Sequence, residues 1–573
     1  MLRPAILRSQ GWPTLSLHVY DLAPFNIRCF NARGTHQKPA VKSIAVLGGG
    51  ITGLAAAFFA HRKFPQAQIT LFEASNRLGG VIDSLKVDAG GGREIICETG
   101  PRTLRANAAR SVVTVDLVRC SHLPLSNLLF TPRSSASACS RYIFHPPSPV
   151  PLPPSIAAGL KSAHSVLAHP FFDGGVSGIF RDTFLAHRPQ HVAEAGDESI
   201  RSFATRRFGQ RIADHVIAPL IAHGLYAGDA DRLSARTLLP GMWDAETRAE
   251  ERGGWCGGVA EQQAVASYAL KREKELLEGL RRGPGGDLEK LLFRDVAWFS
   301  FKRGVADLTR ALGAALQEKA HVVSIETSSR VEDVSKSQDG TMLVTTRSTT
   351  QTQNFTHVIA TTPLNSLLSM TSKLQLHTST HQNLSQETTS VMIVTLFYAS
   401  PAANNPYCGF GYLIPACIPH CWNPENALAV VFDSDAIDGQ DAGPRGTKIS
   451  VVLGGHYWSG ASQRSIAGTR GEEGRFPSRD EAVAMAKQLL ARHIGLVDEP
   501  VVAVATLQRD ALPQYTVGHH ARVAQVREWL LASFAGRLRV AGNSYGGIGV
   551  HDCVFSARSV VEGLEVENQT GLE

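Results

Sequence analysis

The first regular pattern of apolar and polar residues along the chain consists of two short apolar runs separated by a helical pattern. Residues Ser43–Leu47 form an apolar run rich in β-branched side chains, which is typical of a buried parallel strand. Residues 54–64 continue with an apolar helical pattern, and Gln68–Phe72 form a second strand-like run that ends at Glu73. A strand, a helix and a strand in this order predict a βαβ unit with parallel strands.

The pattern changes further along the chain. A proline-rich stretch at 146–154 breaks regular structure and opens a predominantly helical region that extends to residue 226. Residues 335–354 are polar and rich in Ser, Thr and Gln, and they predict a hairpin-like surface loop. Four β-rich runs without helical crossovers then predict a mixed or antiparallel sheet. These runs are 391–398, 409–415, 427–433 and 448–453.

The turn after the first strand has the spacing of a dinucleotide-binding loop. Gly48, Gly50 and Gly53 give G-x-G-x-x-G, in which the glycines permit a tight turn, close approach to a pyrophosphate and close helix packing. The helix N-terminus that follows favours an anion. Glu73 lies 20 residues after Gly53, where a carboxylate can accept hydrogen bonds from ribose hydroxyls. The candidate cofactor contacts in this loop are Gly48, Gly49, Gly50, Ile51, Thr52, Gly53, Glu73 and Ala74.

Two further motifs indicate which dinucleotide is bound. Glu73, Arg77, Gly79 and Gly80 give E-x-x-x-R-x-G-G, which resembles the motif of the FAD-dependent amine oxidase superfamily. Near the C-terminus, residues 538–550 read LRVAGNSYGGIGV and resemble the second FAD motif of that superfamily. The resemblance implies FAD as cofactor and adds Gly542, Gly549 and Val550 to its contacts, with the backbone at Val331 near the adenine.

Two more segments resemble the protoporphyrinogen oxidase family in particular. Residues 98–102 read ETGPR, and residues 224–229 read GLYAGD. The resemblance spans residues 43 to about 565 and implies that Gly224 approaches the flavin and the reacting meso carbon. It also implies that an arginine in the substrate site binds a carboxylate group of the substrate. The substrate-binding residues by this resemblance are Arg102, Arg141, Phe410, Leu413 and Val452.

The resemblance implies an α/β fold with a Rossmann-like FAD-binding domain, an inserted mixed-sheet substrate domain and a helical membrane-facing domain. The FAD-binding domain would be assembled from three separated segments. The expected boundaries are a transit segment at 1–42, FAD-binding parts at 43–125, 298–365 and 511–573, substrate-domain parts at 126–145, 229–297 and 366–510, and the membrane-facing helices at 146–228.

The implied activity is the six-electron oxidation of protoporphyrinogen IX by dioxygen, with hydrogen peroxide as second product, in haem biosynthesis. The resemblance leaves open a homodimer and contact with ferrochelatase, the adjacent enzyme of that pathway. Two alternatives stay open. One is another flavoenzyme, such as an amine oxidase or a carotenoid desaturase, and the other is a non-catalytic binding protein on the same fold.

The composition and the distribution of charge indicate where in the cell the protein is located. The 573 residues carry a net charge of +6, and residues 1–42 hold six basic side chains against Asp21 alone, which is typical of a mitochondrial transit segment. We therefore expect a peripheral protein of the mitochondrial inner membrane, without a transmembrane helix because no long apolar run occurs. The near-neutral body argues against nucleic-acid binding. Cys417, His420 and Cys421 lack a second ligand pair, so no metal site is expected.

Overall fold

A computed structural model describes residues 41–106, 110–121, 123–152, 196–251, 295–347, 352–372, 383–459 and 476–573. The strands are β1 Ser43–Leu47, β2 Gln68–Phe72, β3 Ser84–Gly90, β4 Arg93–Glu98, β5 Leu104–Arg105, β6 Leu128–Pro132, β7 Arg141–His145, β8 Ser148–Leu152, β9 Val296–Phe301, β10 Val323–Glu326, β11 Val331–Lys336, β12 Met342–Thr346, β13 Thr352–Phe355, β14 His357–Ala360, β15 Thr388–Tyr398, β16 Gly411–Leu413, β17 Ala427–Phe432, β18 Thr447–Gly454, β19 Val502–Pro513 and β20 Leu538–Val540.

The helices connect these strands. They are α1 Ile51–Lys63, α2 Ser111–Cys120, α3 Ala136–Cys139, α4 Ile200–Phe208, α5 Gln210–Ile212, α6 Ala235–Leu238, α7 Pro240–Glu251, α8 Ala306–Gln317, α9 Leu364–Met370, α10 Asp433–Ala436, α11 Arg479–Ile494, α12 His519–Phe534 and α13 Val550–Gly563. Two π-helical segments, Ala213–Ile217 and Pro219–Tyr226, follow α5.

A parallel sheet of five strands, in the order β10-β2-β1-β14-β20, brings distant parts of the chain together. Its central strand β1 is buried from Ile44 to Leu47, because helices cover both faces. Apolar side chains of α1, α8 and α13 pack on one face, and those of α9 and α12 pack on the other. This is the α/β arrangement that the βαβ pattern predicts.

A mixed sheet of seven strands, in the order β19-β15-β18-β17-β16-β7-β8, forms the second large layer. The four β-rich runs of the second half become β15 to β18, and only the β16–β7 pair is parallel. The prediction of a mixed or antiparallel sheet is therefore confirmed. On one face of this sheet, apolar side chains including Phe144 and Tyr412 pack against α11.

Three other expectations have different outcomes. The proline-rich stretch 146–154 does not break regular structure throughout, because it contains β8, which pairs antiparallel with β7 at the edge of the seven-stranded sheet. The polar stretch 335–354 is not a loop throughout, because it contains β12, which pairs with β11 and β13 in a three-stranded meander. Its apolar members Met342 and Val344 are buried beneath the polar ones, so a half-buried surface strand was mistaken for a loop. Much of the expected membrane-facing region, 153–195, and all of the expected transit segment up to residue 40 lie outside the described residues. Among the described helices, none combines the length and apolar character needed to cross a membrane.

The guanidinium of Arg539 ties the C-terminal end of the chain to the parallel sheet. It is almost fully buried and donates to the carbonyl oxygens of Gly536, Gly563, Leu564 and Val566, at 3.0, 2.6, 3.3 and 2.7 Å. Burial lowers the pKa of Arg539 to about 10, so its cation is present at neutral pH. Charged donors to buried carbonyls are costly to remove.

We expect Arg539→Met to lower the free energy of unfolding by about 3 kcal/mol, because the carbonyls lose their donors while the side-chain stem is retained. Arg347→Met is the matched control, since the side chain of Arg347 is 77% exposed and its ion pair with Glu332 is long, at 3.8 Å. Urea unfolding followed by circular dichroism measures both. Equal losses in the two variants would contradict a special role for Arg539.

Candidate functional site

The glycine-rich turn after β1 brings α1 directly onto the end of the strand. Gly48 has a φ of +103°, a conformation that favours glycine. A Cβ placed on Gly53 would lie 1.8 Å from the carbonyl oxygen of Gly48. Only glycine at position 53 therefore allows this close packing, as the spacing predicts.

The start of α1 leaves a cradle suited to a pyrophosphate. Gly50 precedes the helix without a capping side chain, and the first turn has no acidic residue, so no side chain of the first turn competes for its free amides. Gly50 forms a bridge with Gly79, and a Cβ on Gly80 would lie 3.3 Å from the Cα of Gly50. Ile51 and Thr52 are the first, buried residues of the helix. These features fit an anionic cofactor group at this position.

Glu73 lies beside the same turn, at the end of β2. Its carboxylate accepts hydrogen bonds from the backbone N–H groups of Gly49 and Ser75, both at 2.7 Å. A carboxylate has about four acceptor positions, so it can also accept from ribose hydroxyls. The N–H of Ser329 donates to the carbonyl oxygen of Glu73, which brings the backbone before Val331 to the same place. Ala74, the next residue, is exposed.

Arg77 is engaged within its own turn. Its guanidinium donates to the carbonyl oxygen of Gly80 at 2.6 Å and to those of Leu78 and Ile82 at 3.3 Å. Gly79 and Gly80 both have positive φ, at 111° and 60°. Arg77 therefore stabilises the glycine turn that faces Gly50, which explains why the arginine and the paired glycines occur together.

The C-terminal glycine turn meets the N-terminal one. A Cβ on Gly542, which has a φ of +119°, would lie 3.4 Å from the hydroxyl oxygen of Thr52 in the first turn of α1. Gly549 is the residue before α13, and Val550 is the buried first residue of that helix. The two motifs, from opposite ends of the chain, thus lie side by side as one binding site requires.

Two residues that sequence reasoning did not nominate support the C-terminal turn. The buried hydroxyl of Tyr515 accepts from the N–H of Gly547 at 2.9 Å and donates to the carbonyl oxygen of Asn543 at 2.6 Å. Arg110 forms an ion pair of 2.7 Å with Asp552 in the first turn of α13. That pair offsets a negative charge beside a helix N-terminus. Neither partnership has a local sequence signal, because each joins segments far apart in the chain.

Gly224 lies in the second π-helical segment, against the seven-stranded sheet. A Cβ on Gly224 would lie 3.1 Å from a methyl carbon of Leu413 on β16. The segment ends at Ala227 in the left-handed conformation, with a φ of +48°. Short π-helical segments are frequent at functional sites. The resemblance implied that Gly224 lies beside the flavin and the reacting carbon and that Leu413 binds the substrate, and the structure brings these two residues together.

The strand register places Leu413 in an apolar row across the sheet face. Cross-strand partners share a face, and the row Ile143, Leu413, Ala429, Val452 and Ile393 runs through five neighbouring strands. Arg141 precedes Ile143 by two residues on the same strand, so it lies on this face at an exposed position. Phe410 instead packs edge-on against Trp298, with ring centroids 5.2 Å apart.

Arg102 lies in a buried cluster of charged side chains that also contains Glu98, Asp433 and Lys448. Its guanidinium pairs with Asp433 at 2.8 Å, and the nearby Lys448 ammonium pairs with Asp441 at 2.7 Å. Burial raises the pKa of Glu98 to about 7, although its carboxyl accepts from Ser84 and from the N–H of Val305. The charge of Arg102 is largely offset by Asp433, a partner that no sequence pattern predicts because the two residues are far apart in the chain.

Two buried histidines adjoin Gly224, although no histidine was nominated from the sequence. The rings of His223 and His456 lie 4.9 Å apart at 25° and are almost fully buried. Nδ1 of His223 lies 2.9 Å from the carbonyl oxygen of Ile414. Burial lowers the pKa of His223 to about 4 and the pKa of His456 well below its usual value. Their pairing depends on tertiary packing, so no sequence spacing could reveal it.

The thiol of Cys417 lies 3.4 Å from Nδ1 of His215 at the exposed edge of the same region. Although the residue is exposed, desolvation of the thiol by its neighbours raises its pKa. Within the described ranges, no group of three or more His, Cys, Asp or Glu side chains has an arrangement that could hold a metal ion.

We expect Gly53→Ala to abolish cofactor retention, because the added methyl group would push α1 away from Gly48 and open the pyrophosphate cradle. Flavin absorbance of the purified protein measures this loss. Gly241→Ala, in α7, is the control, because a Cβ at that position meets no atom within 4 Å. A folded Gly53→Ala variant with the wild-type flavin content would contradict this reading of the turn.

Known proteins resemble this chain over most of its length. It is 29% identical over 528 residues to protoporphyrinogen oxidase of Schizosaccharomyces pombe, covering 91% of this chain and 98% of the relative. It is 28% identical over 520 residues to protoporphyrinogen oxidase of Homo sapiens, covering 90% and 97%. A solved structure from Exiguobacterium sp. 255-15 matches with a TM-score of 0.65 at 22% identity, covering 92% and 99%.

The family profile described as flavin containing amine oxidoreductase matches residues 51–564, which include the turn of Gly79 and Gly80, the C-terminal glycine turn and the apolar row of the seven-stranded sheet. The chain therefore belongs to the flavin containing amine oxidoreductase family.

Proposed function

We propose that this chain is an oxygen-dependent, FAD-containing protoporphyrinogen oxidase, which converts protoporphyrinogen IX to protoporphyrin IX and forms hydrogen peroxide. The proposal rests on the place where the π-helical segment contacts both the sheet and the C-terminal glycine turn. The π-helical segment Pro219–Tyr226 contacts the apolar sheet face through Gly224, while its Tyr226 ring packs 5.4 Å from Tyr515, which binds the C-terminal glycine turn. A substrate on the sheet face thus lies next to the cofactor turns. The two relatives named above support this choice of substrate.

The residues of the chain bind and orient the two reactants. Amides at the start of α1 would hold the pyrophosphate of FAD, and the Glu73 carboxylate would accept hydrogen bonds from its ribose. Bound FAD supplies the two-electron acceptor chemistry. The apolar row that contains Leu413 and Val452 forms a wall suited to a flat, apolar macrocycle and excludes water from it. Gly224 lets the macrocycle approach closely, because it has no side chain.

Turnover of protoporphyrinogen IX in air tests this function. The flavin-loaded protein should produce porphyrin fluorescence faster than the chemical background, with peroxide formed in parallel. A flavin-loaded protein without a fluorescence gain would overturn the substrate assignment and would favour another flavoenzyme of the family. A protein that retains no flavin would instead favour a non-catalytic binding protein.

We further propose that the protein is imported into mitochondria and attaches to one face of the inner membrane through residues 146–228. The basic, acid-poor segment 1–42 supports import, and the predicted helical pattern supports attachment. Carbonate and detergent fractionation of mitochondria tests the location. Recovery in the soluble fraction without detergent would count against attachment. Homodimer formation and contact with ferrochelatase stay as predictions from the resemblance alone.

We expect Arg141→Ala to raise the KM for protoporphyrinogen about tenfold or more, because a charge-assisted hydrogen bond to a propionate is lost. Flavin content should stay at the wild-type level, since β7 lies in the seven-stranded sheet, away from the glycine turns. Arg141→Lys should give an intermediate KM, because a lysine keeps the charge but not the paired donors.

Steady-state kinetics with measured flavin content checks the three forms. The exposed Arg347→Ala variant serves as the control for loss of a positive charge. Unchanged kinetics in Arg141→Ala would remove this residue from the substrate site.

A further inference from the structure

The pair of His223 and His456 joins the two elements that meet at the candidate substrate face. His223 directly precedes Gly224 in the π-helical segment, and His456 follows the end of β18. The backbone N–H of His456 donates to the carbonyl oxygen of Ala227 at 2.7 Å, so the pair is held from both sides. The two rings stack at 4.9 Å, and the ring of Tyr457 lies 4.1 Å from that of His456.

The hydrogen bonds determine where the protons of this pair lie. A carbonyl oxygen only accepts, so Nδ1 of His223 carries the hydrogen that it donates to Ile414 at 2.9 Å. Nε2 of His223 therefore holds a lone pair, because the buried ring is neutral. Nδ1 of His456 is buried and has no hydrogen-bond partner among the described residues. Buried polar atoms without partners are rare and call for an explanation.

The charged groups around the pair leave it neutral. Asp229 favours protonation of His223, whereas Arg201 opposes protonation of both rings. The guanidinium of Arg201 is itself paired with Asp214 and Asp231. The neighbouring Tyr457 is neutral, because burial raises the pKa of its hydroxyl. Cys417 has an electrostatic effect on that hydroxyl and not on the two imidazoles. Desolvation is thus the largest influence on both rings.

We propose that His223, stacked on His456, is the base that receives the proton lost by protoporphyrinogen in each two-electron oxidation. This inference rests on the proposed function. In each step a meso carbon of the macrocycle gives up a hydride, which FAD would accept when bound, and the N–H bond of one pyrrole breaks as the hydride leaves. The electron pair of that bond stays on the ring nitrogen, and a new N–H bond forms at Nε2 of His223.

Dioxygen is the final oxidant in each cycle. It would receive the hydride by way of FAD and take up the proton that His223 releases, which gives hydrogen peroxide. Three such cycles remove three hydrides and three protons, which is the six-electron change, and one remaining meso hydrogen moves to a ring nitrogen by tautomerisation to give the two N–H groups of the porphyrin. A weak base suits this role, because the positive charge that develops on the macrocycle makes its N–H groups far more acidic and because a weakly held proton leaves again before the next cycle.

The His223→Asn variant separates this role from a structural one. The asparagine amide can still donate to the carbonyl oxygen of Ile414, but it has no basic nitrogen at the position of Nε2. We expect anaerobic flavin reduction by protoporphyrinogen, followed by stopped flow, to slow about 100-fold at unchanged flavin content. We also expect a larger solvent deuterium isotope effect than in the wild type, because proton loss becomes the slow step.

His493→Asn is the matched control. His493 is another buried histidine, stacked 3.6 Å from Phe144 on the opposite face of the same sheet, and burial lowers its pKa to about 4 as well. This variant should lose stability but keep the wild-type isotope effect and reduction rate. Reduction rates in His223→Asn within about twofold of the wild type would overturn the proposal, because a general base contributes far more than this.

A measurement on the unmodified holoprotein keeps the proposal testable if the variant does not fold. Histidine nitrogen NMR should show one ring, assigned to His223, that keeps its hydrogen on Nδ1 and does not titrate between pH 6 and 8. A hydrogen on Nε2, or a charged ring, would overturn the proposal. If protoporphyrinogen fails to reduce the flavin of the wild-type protein, the proposed function fails instead, so the two failures are distinguishable.

Discussion

The contact between the first turn of α1 and the end of β1 sets the geometry on which the rest of the molecule depends. Because a Cβ on Gly53 would meet the carbonyl oxygen of Gly48 at 1.8 Å, helix and strand approach each other closely only through glycine. This approach directs the helix amides toward the turn of Gly79 and Gly80 and leaves Thr52 beside Gly542. One steric condition therefore aligns three separate turns around a single elongated site.

The seven-stranded sheet adds an apolar surface to this site rather than charged groups. The row from Ile143 through Leu413 and Val452 is apolar, while the nearby charges of Arg102 and Lys448 are each offset by a carboxylate. Such compensation matters because an unpaired buried charge would be costly and would bind an ion in place of a neutral ring. The sheet thus provides a dry face, with an exposed arginine at its edge.

The sequence was most informative where the requirement is local. The glycine spacing predicted the turn after β1, and the apolar runs predicted the central strands of both large sheets, because strand burial and positive φ leave their mark within a few residues. The edge strands β8 and β19 were not predicted, and β8 lies in the stretch that was expected to break regular structure. It was least informative where partners are distant in the chain. Tyr515 with Gly547 and His223 with His456 are contacts between remote segments, and neither member of either pair has a distinctive spacing. The strand β12 was missed because its polar outer face resembles a loop.

The strand order of the parallel sheet also has a consequence for biosynthesis. Its neighbours β1 and β14 are separated by about 310 residues in the chain, and the edge strand β20 follows β1 by about 490 residues. A ribosome therefore exposes β1 and its early partner β2 long before β14, the partner on the other side, exists. The apolar surface of these N-terminal strands stays uncovered until β14 and β20 emerge. Long-range pairing of this kind folds slowly and leaves apolar surface exposed in the nascent chain, which favours chaperone binding until β14 and β20 are made.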